Sequence, residues 1–172
     1  MRISDGMESN IRSILVPTDF SAASQRAVDY ARVLAAALDA SVHLVHVLDR
    51  LLSPQVAWAA PAAEAAALHD RLYQDSRSKL AETAPTFEAT RVPVTTEVRG
   101  GAPGSEIVKA AVDYGADLIV MATHGRSGLP HLVLGSVAEH VIRHARCPVL
   151  AVRANETQTT QGAEEQETGQ VA

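Results

Sequence analysis

Strand-like and helix-like segments alternate along this chain, and that alternation restricts the possible folds more than any other feature. Short apolar segments predict five strands, over residues 11–16, 42–48, 92–99, 117–122 and 148–153. Apolar residues at helical spacing predict four helices between them, over residues 21–39, 62–83, 104–114 and 135–144. Strands joined by helices run parallel, because each connection must cross back over the sheet. We therefore expect a single α/β domain, built on an open five-stranded parallel sheet with helices on both faces.

Three segments lie outside this alternation. Residues 1–10 are expected to form a flexible N-terminus, and residues 11–153 are expected to form the domain. Residues 154–172 carry four acidic side chains, no basic ones and almost no apolar ones, which predicts a disordered acidic tail. Residues 50–61, including Trp58, are apolar and contain proline. Their composition suits either a lid or partner surface, or an extension of the following helix.

Charge and composition exclude several classes of function. The chain has 20 acidic and 15 basic residues and a net charge of −5. This balance offers no basic excess to neutralise a nucleic-acid backbone, so we expect no nucleic-acid partner. No apolar run reaches the roughly 18 residues that cross a membrane, and we expect no membrane association or signal segment. The lone Cys147 has no internal disulfide partner, which favours a cytoplasmic protein.

Glycines mark the connection between the fourth predicted strand and the fourth predicted helix. Residues 121–125 (Met-Ala-Thr-His-Gly) end the strand, and residues 135–137 (Gly-Ser-Val) begin the helix after a nine-residue spacing. Glycine lets the main chain approach an anion closely, and a helix start offers unpaired N–H groups and a partial positive charge. Residues 17–19 (Pro-Thr-Asp) follow the first strand, at the same carboxyl edge of the sheet. The two motifs together predict a nucleotide phosphate site.

Motifs of known catalytic sites are missing from the chain. It has no Gly-x-x-x-x-Gly-Lys-Ser/Thr phosphate loop, no Gly-x-Gly-x-x-Gly fingerprint and no Gly-x-Ser-x-Gly nucleophile elbow. The glycines at 100–104 have the wrong spacing for a dinucleotide site. No evident base is present to orient water for attack on a phosphate. We assign no catalytic residue, and at most a weak ATPase activity is expected.

Four segments of the sequence resemble the universal stress protein family in both order and spacing: residues 14–21, His46-Val47, 121–136 and 147–152. The resemblance covers residues 11–153. Nucleotide-binding members of that family carry Gly, two residues, Gly, nine residues and then Gly-Ser or Gly-Thr. This chain has Ala122 at the first of these positions. Alanine costs little there if the backbone is extended, and on the order of 1 kcal/mol if it is left-handed.

The resemblance implies a Rossmann-like fold with strand order 3-2-1-4-5 and membership of the ATP-binding branch. It implies a regulatory module of the stress response that hydrolyses ATP slowly or not at all. ATP is the implied cofactor, with Mg²⁺ carried on its phosphates and no metal site of the protein itself. A homodimer through the last strand, over 148–153, is implied as well, beside a protein partner that the sequence does not name.

The candidate nucleotide-binding residues follow from these motifs and from the resemblance. They are Pro17, Thr18, Asp19, Val47, Met121, Ala122, His124, Gly125, Arg126, Gly135, Ser136 and Val137. Gly125 and residues 135–137 are the expected phosphate cradle. Val47 is the expected adenine contact, through its backbone.

Several of these residues have a structural alternative. Asp19 either contacts the ribose or a phosphate-bound metal, or caps the helix near residue 21. Met121 packs against the base or in the core, and Ser136 binds phosphate, caps the fourth helix, or does both. For Arg126 the alternative is a solvated charge, and for His124 it is a structural hydrogen bond.

Two other functions remain open at this point. One is an interaction protein of the same fold that binds no nucleotide, which only Ala122 favours. The other is a slow ATPase that uses Asp19 and the glycine loop. A metal site at His140 and His144, which are four residues apart on one helix, lacks a third ligand nearby in the sequence.

Overall fold

The computed structural model describes residues 11–49, 62–88, 90–124 and 134–153. The predictions for residues 1–10, 50–61 and 154–172 therefore lie outside the described residues. Five strands and five helices occur in the described ranges. In chain order they are β1 (Ser13–Pro17), α1 (Ala22–Leu38), β2 (Ser41–Asp49), α2 (Ala62–Thr83), α3 (Pro85–Glu88), β3 (Val94–Gly101), α4 (Pro103–Asp113), β4 (Leu118–Ala122), α5 (Ser136–His144) and β5 (Val149–Val152).

The strands form one parallel sheet in the order β3-β2-β1-β4-β5. This confirms the expected Rossmann-like α/β fold and its strand order. The chain builds outward from β1 through β2 to β3, then returns to the other side of β1 through β4 and β5. The carboxyl ends of β1 and β4 are therefore adjacent where the strand order reverses, which is where open α/β sheets place their ligand crevice.

Alternating side chains of the strands form two apolar layers, one on each face of the sheet. On one face Ile14, Val16, Leu44 and Val120 pack with Ala27 and Ala31 of α1 and with Leu80 of α2. On the other face Leu15, Val45 and Ile119 pack with Ile107 and Ala110 of α4 and with Val141 of α5. All these residues are nearly inaccessible to solvent. The small alanines of α1 and α4 allow these helices to lie close to the sheet.

The predicted element boundaries hold to within two residues in most places. β3 starts at Val94 and not at residue 92, because Pro93 has no N–H to donate and contributes only its carbonyl, which accepts from the amide of Val42. α4 starts at Pro103, where a missing N–H costs nothing. The short α3 was not predicted, although it buries Phe87 completely.

The leucines on one face of α2 are only partly buried. Leu80 is 1% exposed, but Leu68 and Leu72 are 39% and 45% exposed. The first half of the helix therefore leaves this face open to solvent. The buried Ser76 and Leu80 show that the second half of α2 packs against the body of the domain.

Candidate functional site

The turn between β1 and α1 is fixed by its own polar side chains. Oδ1 of Asp19 accepts hydrogen bonds from the amide of Ser21 at 3.0 Å and from its hydroxyl at 2.6 Å. Ser21 is the N-cap of α1, and its hydroxyl oxygen accepts from the amide of Ser24 at 3.2 Å. The alternative in which Asp19 itself caps the helix is therefore wrong, because Ser21 is the N-cap and Asp19 orders that residue. This contact does not exclude binding of a ligand, since Asp19 also lines the cleft described below.

Phe20 and His46 make contacts that stabilise this turn. Phe20 is a non-glycine residue with φ of 63°, a left-handed conformation that costs about 1–2 kcal/mol. Its amide donates to Oγ1 of Thr18 at 3.1 Å, and its ring lies 4.4 Å from that of His46, centroid to centroid. Nδ1 of His46 donates to the carbonyl of Thr18 at 2.7 Å. The turn that carries Asp19 is thus stabilised by the hydroxyl groups of Thr18 and Ser21 and by His46 of β2.

The end of β4 shows the backbone conformation of Ala122, which decides the cost of alanine at the first motif position. Ala122 is the last residue of β4, pairs with Val152 of β5 and has no positive φ. The backbone is therefore extended, and no left-handed strain arises from alanine at this first motif position. Thr123 continues the ladder, because its amide donates to the carbonyl of Val152 at 3.0 Å.

The start of α5 lies directly against the end of β4. The amide of Gly135 donates to the carbonyl of Thr123 at 2.9 Å, and a Cβ on Gly135 would lie only 3.0 Å from that same oxygen. Gly135 is the N-cap of α5, and no described side chain caps this helix. Ser136 is the first helical residue, so the expectation that its hydroxyl caps α5 is wrong. Glycine is needed here for close approach of the backbone, since its φ of −61° suits any residue.

His124 follows β4 and belongs to the same wall. Its Nδ1 lies 2.9 Å from Oγ1 of Thr123, which is the structural hydrogen bond expected as the alternative to ligand contact. Its Nε2 is buried and has no hydrogen-bond partner among the described residues. A buried polar atom without a partner is unusual in a folded protein and marks a place where an additional polar group would be favourable.

These elements enclose a cleft of about 460 Å³ at the carboxyl edge of the sheet. Ten of the twelve candidate residues line it, and the other two, Gly125 and Arg126, lie outside the described residues. The ten are Pro17, Thr18, Asp19, Val47, Met121, Ala122, His124, Gly135, Ser136 and Val137. The structure therefore brings together residues that are more than a hundred positions apart. Met121 is 4% exposed and packs in the core while also lining the cleft, so its two expected positions coincide.

Eight further residues line the cleft and were not among the candidates. They are Ser24, Val45, His46, Asp49, Pro103, Ile107, Thr123 and Ala138. A signal existed for α4, because its start follows the glycine-rich end of β3 at the same edge of the sheet. No sequence signal pointed to Ser24, which is buried in α1 and reaches the cleft beside Thr18.

The described lining of the cleft contains two carboxylates, Asp19 and Asp49, and neither lysine nor arginine. An anion held by these residues would therefore depend on main-chain N–H groups, mainly those at the start of α5. Among the described residues, no group of three or more His, Cys, Asp or Glu side chains is arranged to hold a metal ion. The rings of His140 and His144 stack on each other at 4.3 Å.

The fold and the cleft together define a doubly wound α/β protein with a ligand crevice where the strand order reverses. The family model of the universal stress protein family matches residues 10–153. Universal stress protein MJ0531 of Methanocaldococcus jannaschii is 38% identical over 146 residues, which cover 85% of this chain and 84% of that protein. The chain belongs to the universal stress protein family.

Two solved structures extend the comparison. The structure of MJ0577, from the same archaeon, superposes with a TM-score of 0.77 at 31% identity, over 86% of this chain and 99% of that one. A universal stress protein in complex with cAMP superposes with a TM-score of 0.60 at 27% identity, over 83% and 96% of the two chains.

The long α2 has 22 residues, and no described helix is both long and apolar enough to cross a membrane.

Proposed function

We propose that this protein is an ATP-binding universal stress protein that acts as a regulatory module of the stress response. The single observation that carries the proposal is the start of α5. Its first turn lines the cleft, has no described side-chain cap, and lies so close to β4 that a Cβ at Gly135 would crowd the main chain. Uncapped N–H groups with the positive end of a helix dipole bind phosphate well.

The residues of the cleft fit the other parts of a nucleotide. Val47 of β2, Met121 of β4 and Ile107 of α4 give the cleft an apolar wall, which suits a purine ring. Its volume of about 460 Å³ falls within the usual range for sites of small-molecule ligands. The related structure with cAMP supports an adenine nucleotide as the ligand class.

Mg²⁺ enters this proposal with the nucleotide. The described lining includes the carboxylates of Asp19 and Asp49, and negative charges close to a bare triphosphate would repel it. A magnesium ion carried by the triphosphate would reduce this repulsion, and Asp19 and Asp49 are hard oxygen ligands of the kind Mg²⁺ prefers. Binding of ATP should therefore be tighter with Mg²⁺ than with a chelator present.

Hydrolysis is proposed to be slow or absent. One oxygen of Asp19 already accepts two hydrogen bonds from Ser21, which makes it a poor base for activating water. Turnover above about 1 s⁻¹, a low rate for an enzyme, would instead support the slow-ATPase alternative.

Two experiments on the purified protein test the binding proposal. Isothermal titration with Mg·ATP should give a saturable heat signal, and native mass spectrometry of freshly purified protein should show whether nucleotide is retained. No heat at millimolar ATP and no retained nucleotide would refute the proposal. That result would favour an interaction protein without nucleotide, although the extended backbone at Ala122 removes the one feature that favoured it.

The assembly proposed for the protein is a homodimer through β5. This four-residue strand pairs with β4 on one side, and Leu150 on it is 37% exposed. An edge strand with an exposed apolar side chain is a common site for pairing with another chain. We also propose a cytoplasmic location, which the single cysteine favours.

A further inference from the structure

The carbonyl of Thr18 accepts a hydrogen bond from a side chain and not from the neighbouring strand. β1 and β2 pair in parallel from Ser13 with Ser41 to Pro17 with Val45, and the amide of Thr18 still donates to the carbonyl of Val45 at 2.9 Å. In a regular parallel ladder, the next hydrogen bond would run from the amide of Val47 to the carbonyl of Thr18. The ladder between these strands instead ends here, and Nδ1 of His46 donates to that carbonyl at 2.7 Å.

The ring of His46 is well fixed for this contact. The residue is 7% exposed, and the ring of Phe20 packs against it at 4.4 Å. Because a carbonyl oxygen only accepts, Nδ1 must carry the proton. Phe20 itself is held in its left-handed conformation, with its amide bonded to Oγ1 of Thr18. The same turn therefore presents the Thr18 carbonyl and orients the donor that occupies it.

We propose that His46 is a positioning residue of the cleft, which keeps the main-chain N–H of Val47 available to a nucleobase. This role rests on the nucleotide binding proposed above. Val47 is half-buried and lines the cleft, and its N–H lies on the β1 side of β2, where the two strands stop pairing. A ring nitrogen of a base is an acceptor of the required kind for such an N–H.

Substitution of His46 tests this role through ATP affinity. His46→Leu removes the donor, so the Thr18 carbonyl becomes free to accept from Val47. The Kd for ATP should rise about tenfold, as for the loss of one ordinary hydrogen bond. His46→Asn places a side-chain N–H near the position of Nδ1 and should bind ATP like the wild type. The matched control is His43→Leu, which removes a β2 histidine bonded to Thr95 on the opposite face and should leave the affinity unchanged.

Amide hydrogen exchange of nucleotide-free protein gives a second readout that does not depend on ligand. The Val47 amide should exchange more slowly in His46→Leu, by about tenfold or more, because it gains a ladder partner. In His46→Asn it should exchange as in the wild type. If His46→Leu does not fold, His46→Gln replaces it, since its N–H₂ matches the position of Nε2 and not that of Nδ1.

The outcomes separate the two proposals. Failure of the wild type to bind ATP would overturn the proposed function, while the exchange rates would still decide the role of His46 in ending the ladder. If the wild type binds ATP and the Leu or Gln variant binds equally tightly, His46 does not position the site. Unchanged exchange at Val47 would overturn the role as well.

Discussion

A single methyl group added at Gly135 should weaken both the fold and the site, and the two effects are separable. The new Cβ would lie 3.0 Å from the carbonyl oxygen of Thr123 and 3.7 Å from Cα of His124. The backbone itself accepts alanine, with φ of −61° and ψ of 147°. The cost therefore comes from the contact alone, and the start of α5 or the end of β4 must move by a few tenths of an ångström.

The size of each effect follows from this displacement. Overpacking of this kind costs about 1–2 kcal/mol, and the melting temperature of a domain this size falls by roughly 2–4 °C per kcal/mol. The start of α5 shifts with the carbonyl of Thr123. The amides of Ser136 and Val137, which follow the already bonded amide of Gly135, therefore lose alignment with the phosphates. A hydrogen bond to a charged group contributes about 1.5–3 kcal/mol. Loss of about half of one such bond should raise the Kd for ATP about three- to tenfold in isothermal titration of Gly135→Ala.

Gly115→Ala is the matched control for this variant. Gly115 has φ of 57°, and a Cβ added there would have no atom within 4 Å. Alanine at this position is therefore destabilised by the left-handed backbone and not by a steric contact. Gly115 precedes β4, at the edge of the sheet opposite the cleft. It should lose a similar 1–2 kcal/mol or so of stability and bind ATP like the wild type. If Gly135→Ala keeps wild-type affinity despite a lower melting temperature, the start of α5 does not hold the phosphates.

Three further predictions concern stability and assembly. A Cβ at Gly104 would lie 2.8 Å from Cδ2 and 2.9 Å from Cβ of His140, so Gly104→Ala should lower the melting temperature in calorimetry. Adding His140→Ala should restore only part of the loss, because alanine keeps that Cβ. Burial lowers the pKa of His43, so the folded state takes up a proton less readily than the unfolded state. Stability should therefore fall as the pH drops below about 6.5, and the fall should be smaller in His43→Asn. Leu150→Arg should convert a dimer into an 18.2 kDa monomer in light scattering, and a wild type that is already monomeric would contradict the proposed assembly.

The strand order and the location of the cleft were accessible from the sequence because both depend on periodicity and topology. Five apolar segments separated by helices leave few arrangements of a parallel sheet, and the family resemblance selected one of them. Once β1 and β4 are adjacent, the residues that follow them must meet at the carboxyl edge. For that reason Asp19 and Gly135 could be placed together without any knowledge of their contacts.

The exposure of Leu68 and Leu72 was not accessible in the same way. Spacing identifies the residues that share one side of a helix, but burial depends on how far the neighbouring elements extend along it. The second half of α2 lies against the body of the domain, where Leu80 is buried. Nothing in the sequence of α2 itself distinguishes its two halves, because both carry leucine at helical spacing.

Contacts that depend on close approach were the part of the site that the sequence predicted least. The family motif treats Ala122 and Gly135 as equivalent glycine positions, yet the structure separates them, because Ala122 is extended in a strand and Gly135 lies against a carbonyl. His46 gives a similar lesson. Strand alternation turns its side chain to the face opposite Val47, so a pattern-based prediction assigns it to the core and not to the cleft. His46 contacts the carbonyl of Thr18 because the ladder between β1 and β2 ends at this point. A ladder ends where a side chain competes with the main chain for a carbonyl. The periodicity of the sequence does not record such competition.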